Sequence, residues 1–140
     1  MPGCLKMLNA LVLTCGHVRA GVVCCACRSL YTGAWEDCFW VVDGPALYLY
    51  RSYEDFSRQH RPGSDRGALK MIKLSVALKP DSLKTKKYDG VILHNFFLVE
   101  RGDFGDFKVA KFGSRSKEQV GALRNCLLWS LHQCKEGRYK

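Results

Sequence analysis

The residues with chemistry to offer in this 140-residue chain are eight cysteines, four histidines and a lysine-dense stretch. Cys24, Cys25, Cys27 and Cys38 could supply the four thiolates of a closed structural zinc site. Their spacing argues against it. On a strand Cys25 and Cys27 share one face while Cys24 points to the other, whereas paired zinc ligands sit on turns. Packing is the expected role, since cysteine behaves as a small buried hydrophobe. His17, His60, His94 and His132 are scattered, there is no Gly-rich phosphate loop, and no Ser, His and acid grouping has a recognisable setting. The chain therefore reads as a non-enzymatic protein with no metal and no cofactor.

Lys79, Lys84, Lys86 and Lys87, with Lys70 and Lys73 just before them, form the densest basic region. Two readings stand side by side. The lysines could solvate a hairpin and aid solubility, or act together as an electrostatic contact for an acidic polymer such as a microtubule. Lys and Arg outnumber Asp and Glu by 22 to 13, a net charge of +9. Residues 1–50 hold Lys6, Arg19 and Arg28 against Glu36, Asp37 and Asp43, so the whole surplus lies after Tyr50. A basic surface suits nucleic acid, an anionic membrane or the acidic exterior of a cytoskeletal polymer. RNA is the weakest of these, because the aromatic residues fall at core strand positions rather than interleaving with basic ones as a stacking platform.

The elements that must carry these residues can be read in turn. Gly21 to Arg28 is β-prone and is predicted as the first strand of the sheet. Trp35 to Ser52 carries two aromatic and β-branched runs around Asp43-Gly44-Pro45, the pattern of a β-hairpin. Residues 53–67 turn polar, with Pro62, Gly63, Ser64, Asp65 and Gly67, and read as a long loop. Leu69 to Leu78 is expected as a strand, Lys79 to Gly90 as a basic hairpin connection, Val91 to Glu100 as a strand, and Phe107 to Phe112 as another after the turn at 102–106. Ser116 is a candidate N-cap for a helix running to Cys134, with Val120, Leu123, Leu127, Leu131 and Cys134 at helical spacing and Gly137 to end it. Trp129 falls on the opposite side of the helical wheel from these apolar residues and should face outward.

The hairpin sequence, Trp35-Glu36-Asp37-Cys38-Phe39-Trp40-Val41-Val42 followed by Ala46-Leu47-Tyr48-Leu49-Tyr50, resembles the second and third strands of a pleckstrin-homology (PH) domain. That resemblance covers about residues 18–135. It implies a mainly β, PH-like barrel or sandwich of about seven antiparallel strands capped by one C-terminal helix. It also implies an alternative site, because phosphoinositide-binding members hold the head group with basic residues at strand ends. Arg28 and Arg51 stand at such places here. Two departures accompany them: Glu36, Asp37 and Cys38 occupy the places of the usual second-strand basic residues, and Leu123 stands where the family carries a helix Trp.

With 140 residues and 47% hydrophobic residues there is material for one packed domain. Residues 1–17 read as an apolar N-terminal extension, 18–135 as the PH-like domain and 136–140 as a basic C-terminal tail. Met7 to Leu13, with Lys6 ahead of it, is the one candidate signal-peptide core, but it is short and lacks a small-residue cleavage site, so it is expected to be retained. No apolar run approaches the roughly 20 residues of a membrane span. Cysteines in strands and the lack of other secretory features point to a reduced cytoplasmic setting. The resulting expectation is a structural adaptor in a cytoplasmic assembly, on the cytoskeleton or a ciliary or flagellar axoneme. Leu5, Leu8, Leu11 and the outward Trp129 would dock protein partners, and Lys79, Lys84, Lys86 and Lys87 would meet an acidic surface such as a microtubule. The alternative is a peripheral membrane adaptor that binds phosphoinositide through Arg28 and Arg51.

Overall fold

The structure, a computed structural model, describes residues 6–7, 12–15, 18–25 and 35–139, with the side chains of residues 6, 7, 15, 24, 25 and 88 left out. Its strands are β1 (Lys6–Met7), β2 (Leu13–Cys15), β3 (Val18–Cys25), β4 (Glu36–Asp43), β5 (Ala46–Tyr50), β6 (Lys70–Lys73), β7 (Leu78–Pro80), β8 (Lys84–Tyr88), β9 (Val91–Gly102) and β10 (Gly105–Ser114). Among the described residues two helices join them, α1 (Tyr53–Gln59) and α2 (Lys117–Lys135). Every pairing is antiparallel, and the main path runs β6-β5-β4-β3-β10-β9-β7, with β2 beside β3 and β8 beside β9. Among the described residues, Phe112 with Cys25 and Gly113 with Cys24 join β10 to β3. The path divides into two antiparallel layers, and β6 and β7 end it without pairing to each other. The fold is an open sandwich capped by the C-terminal helix rather than a closed barrel.

The β4–β5 hairpin explains why two cores form. All five residues of β5 and five consecutive residues of β4 are buried, so both faces of this hairpin are covered. In register, Trp40 opposes Leu49 and Val42 opposes Leu47, and these four enter the large core under α2 with Val23, Phe96, Leu98, Phe112, Leu123 and Leu127. The alternate residues Phe39, Val41, Tyr48 and Tyr50 point the other way and form a second core with Ala20 and Phe56 of α1.

That second core corrects the expectation of a long loop over residues 53–67. Ser52 caps α1, its Oγ accepting a hydrogen bond from the Asp55 N–H at 3.2 Å, and Phe56 is the apolar anchor, with ring centroids 5.5 Å from Phe39 and 5.7 Å from Tyr50. One buried residue in seven leaves no helical stripe to read. His60 then fastens the end of the helix to the hairpin. Its Nε2 lies 2.8 Å from Asp43 Oδ2 and its Nδ1 2.7 Å from the Tyr50 hydroxyl, so with Asp43 ionised, Nε2–H donates to the carboxylate and Tyr50 O–H donates to Nδ1.

Two further expectations change. The strand predicted over Leu69 to Leu78 is broken: Leu74 to Ala77 carries the chain from β6, at one end of the path, to β7 at the other. The connection predicted over Lys79 to Gly90 is mostly extended, with Lys84 to Tyr88 hydrogen-bonded along β9 and the turn confined to Asp89 and Gly90, both at positive φ. Lysine and threonine mark this stretch as polar, and polarity was mistaken for looseness. Helix α2 follows its periodicity. Ser116 Oγ accepts from the Gln119 N–H, Leu123 is fully buried, and Gly137 at φ +69° closes a Schellman motif, with Gly137 N–H donating to Cys134 C=O and Arg138 N–H to Gln133 C=O.

Gly21 opposes Trp40, and a Cβ there would lie 2.9 Å from three atoms of the indole, which is fully buried and has no room to shift. Gly21→Ala is expected to lower the stability to urea by about 1–3 kcal/mol; an unchanged midpoint would show that the indole relaxes. A second expectation concerns Tyr50. Burial, then Tyr48 and Asp43, pushes its phenol well above the ordinary value of 10. A phenol raised in the folded state gives stability that is present below its unfolded pKa and lost as pH rises past it. The urea midpoint should therefore fall above about pH 10, more steeply in the wild type than in Tyr50→Phe, and parallel profiles would contradict this.

Candidate functional site

The outer face of the second layer carries the basic residues. Along β9, Phe96 and Leu98 point into the large core, so Leu93, Asn95, Phe97 and Val99 point out. Residues opposite one another across antiparallel strands share a face. Lys79 opposes Val99 from β7, Lys84 opposes Asn95 and Lys86 opposes Leu93 from β8, while Lys108 opposes Val99 and Lys111 opposes Phe97 from β10. Five lysines thus stand on one face. Lys87 opposes Ile92 and belongs to the other face, so the four lysines singled out in the sequence are brought together only in part.

Lys108 and Lys111 are three apart, which on a regular strand would send them to opposite sides. A bulge between Lys108 and Ala110 takes up the odd residue and returns both to the outer face. This local irregularity is why sequence reasoning missed them. The ammonium of Lys108 lies 4.2 Å from the Phe97 ring centroid, and that of Lys111 lies 5.2 Å from Phe97 and 5.1 Å from Trp35. Trp35 itself lies across Gly113, where a Cβ would come within 2.9 Å of the indole. The aromatic rings are therefore capped by cations.

Neighbouring strands are about 4.8 Å apart and alternate residues about 7 Å. Neighbouring lysines such as Lys84 and Lys86 accordingly sit within or near one screening length, roughly 8 Å at physiological salt, and their fields add, while Lys86 and Lys79 stand about 20 Å apart along β9. Asp81 offsets one of them, its carboxylate accepting from Lys84 Nζ at 3.0 Å, and it also accepts the Phe97 N–H at 2.7 Å. That aspartate holds the strand edge while the rest of the face stays net positive.

The other candidate residues fall elsewhere. Leu5, Leu8, Leu11 and Arg28 lie outside the described residues. Arg51 is exposed after β5 and lines a cleft with Asp55, Gln59 and Gly67. Gln59 also lines a second cleft of about 300 Å³ with Arg58, Arg61 and Arg66, a cluster that the loop reading of residues 53–67 hid. Arg58 is paired with Asp55 at 3.3 Å, and Arg61 donates to the His60 carbonyl.

Trp129 is 42% exposed on α2 and forms one wall of an open groove of about 730 Å³ whose other lining includes Val12, Arg19, Leu83, Gly121 and Cys126. The Arg19 guanidinium stacks over the indole, 5.0 Å from its centroid. Burial pushes the Cys126 thiol up, with Arg19 pulling the other way, and burial also raises Cys134, so both are held as thiols.

The contact of His60 with Asp43 and Tyr50 has the form of a catalytic triad, but its Tyr50 hydroxyl is fully buried and held protonated, so no reacting atom can reach it. Among the described residues no three of His, Cys, Asp or Glu come together to hold a metal ion. Cys27 lies outside the described residues, Cys24 and Cys25 are placed in backbone only, and Cys38 is buried in the large core. Among the described residues no helix is long and apolar enough to cross a membrane. Neither a scan against protein-family models nor a search of curated proteins finds a match to this chain.

Proposed function

We propose that the protein is a non-enzymatic, PH-like adaptor in a cytoplasmic assembly on the cytoskeleton, including the axoneme of a cilium or flagellum. The lysine face of β7–β10 would hold it to an acidic polymer such as a microtubule. The observation that carries this reading is the convergence of Lys79, Lys84, Lys86, Lys108 and Lys111 on one sheet face. Two of these come from a strand outside the lysine run, so sequence proximity alone does not account for the patch. The strand path with a helix after its last strand supports the PH-like part. Phe97 and Trp35 are capped by lysines, which suits a broad acidic surface better than bases that must stack on open rings.

A second reading has its own observation. Arg51, Arg58, Arg61 and Arg66 line two clefts that share Gln59, and guanidinium groups suit phosphate. This favours phosphoinositide binding beside α1, with Arg51 retained from the sequence expectation and its partners supplied by residues 58–66.

One co-sedimentation experiment tests both, using microtubules and liposomes with and without phosphoinositide at matched charge. Combined charge reversal at Lys79, Lys86 and Lys108 is expected to weaken microtubule pelleting roughly tenfold and flatten its salt dependence, leaving liposome pelleting unchanged. Unchanged microtubule pelleting would contradict the adaptor reading. Phosphoinositide-selective pelleting, lost on reversal of Arg51 and Arg61, would establish the second reading in its place.

A further inference from the structure

The α2 groove holds a cation with an unmet need. Arg19 stands at the end of β3 on the core side, opposite Val42, and its Nε is fully enclosed with no hydrogen-bond partner among the described residues. The guanidinium carbon lies over the Trp129 ring, 5.0 Å from its centroid. A buried N–H left without an acceptor is costly, and an ionised donor more so. Arg124 does not share the deficit, because its Nε donates to the Asp81 carbonyl at 2.8 Å.

The enclosed Nε is out of reach of a docking group, so the walls and the outer guanidinium N–H groups decide what the groove takes. Lys117, Arg124 and Arg19 line the groove against the single carboxylate of Glu118, so it is net positive and suits an anion. Val12, Leu83 and the exposed face of Trp129 are apolar. On α2, a Cβ built at Gly121 would meet nothing within 4 Å, leaving open space through which another chain can approach the helix backbone. The groove is open along its length, whereas small-molecule sites enclose most of their ligand. An open apolar channel beside a helix is the setting in which a partner's amphipathic segment lies down.

We infer that this groove docks an acidic amphipathic segment of a protein partner, with an apolar side chain against Trp129 and Leu83 and an Asp or Glu carboxylate on the Arg19 guanidinium. The inference rests on the adaptor reading and names the partner chemistry of a surface separate from the lysine face. A guanidinium offers its N–H groups in a planar fork, the geometry a carboxylate accepts, and the indole beside Arg19 restricts where that fork can lie.

The test uses the full chain and two synthetic helical peptides with the same leucine and alanine face, one bearing a central Glu and the other Gln at that position, titrated by calorimetry. The wild type is expected to bind the Glu peptide about tenfold tighter than the Gln peptide. Arg19→Gln should bind the two equally. Gly121→Leu, which fills open space on the helix surface and should fold normally, is expected to bind neither. A wild type without preference, a preference that survives Arg19→Gln, or binding that survives Gly121→Leu would each overturn the inference. So would failure of the wild type to bind either peptide, whether a second copy or the chain's own residues fill the groove. Microtubule pelleting by the same preparations separates the two failures: retained pelleting with no peptide discrimination removes the groove alone, and the reverse removes the lysine face alone.

Discussion

Which faces of the sheet the chain covers decides the rest of this structure. A half-buried strand needs one apolar face, but β4 and β5 are apolar on both, and the molecule satisfies that demand by placing α2 on one side and α1 with His60 on the other. On β9 and β10 the outer face is closed differently, with Leu93 and Val99 still buried. Their outer residues Leu93, Phe97 and Val99 are instead flanked in register by lysines, whose aliphatic stems can lie on apolar surface while the ammonium groups stay in water. The basic face thus frames a buried apolar strip, and its charges suit an acidic surface.

The two layers meet along β3 and β10, and α2 packs across both. Trp40, wedged against Gly21, and Leu123, fully buried from the helix, meet in one core with Phe112 of the other layer. Where β3 leaves that core its next inward residue is Arg19, which cannot be buried with the apolar side chains and turns its guanidinium onto Trp129. The groove beside α2 therefore begins where the core ends. That position makes Trp129 outward-facing and keeps a cation beside it.

Much of this was legible in the residues. The aromatic hairpin, the Ser116 cap and the spacing of Val120, Leu123, Leu127 and Leu131 gave strong periodic signals because packing fixes them, and the mainly β fold with a C-terminal helix follows. Short elements with one anchor were not legible. Helix α1 buries only Phe56, although Ser52 with Asp55 three residues on was a capping signal within reach. Strand β8 is mostly lysine and is held by backbone hydrogen bonds, which sequence patterning does not report. The bulge that aligns Lys108 with Lys111 leaves no mark in composition, and the arginines of residues 58–66 converge only after α1 has formed.

The most direct measurement is lysine footprinting: acetylation of the full chain, free and on polymerised microtubules, read by mass spectrometry at each site. If the lysine face is the contact, Lys79, Lys86, Lys108 and Lys111 become protected on the polymer while Lys73 on β6 and Lys117 on α2 react as in the free protein. Protection spread evenly over all lysines, or confined to Lys73 and Lys117, would contradict that assignment.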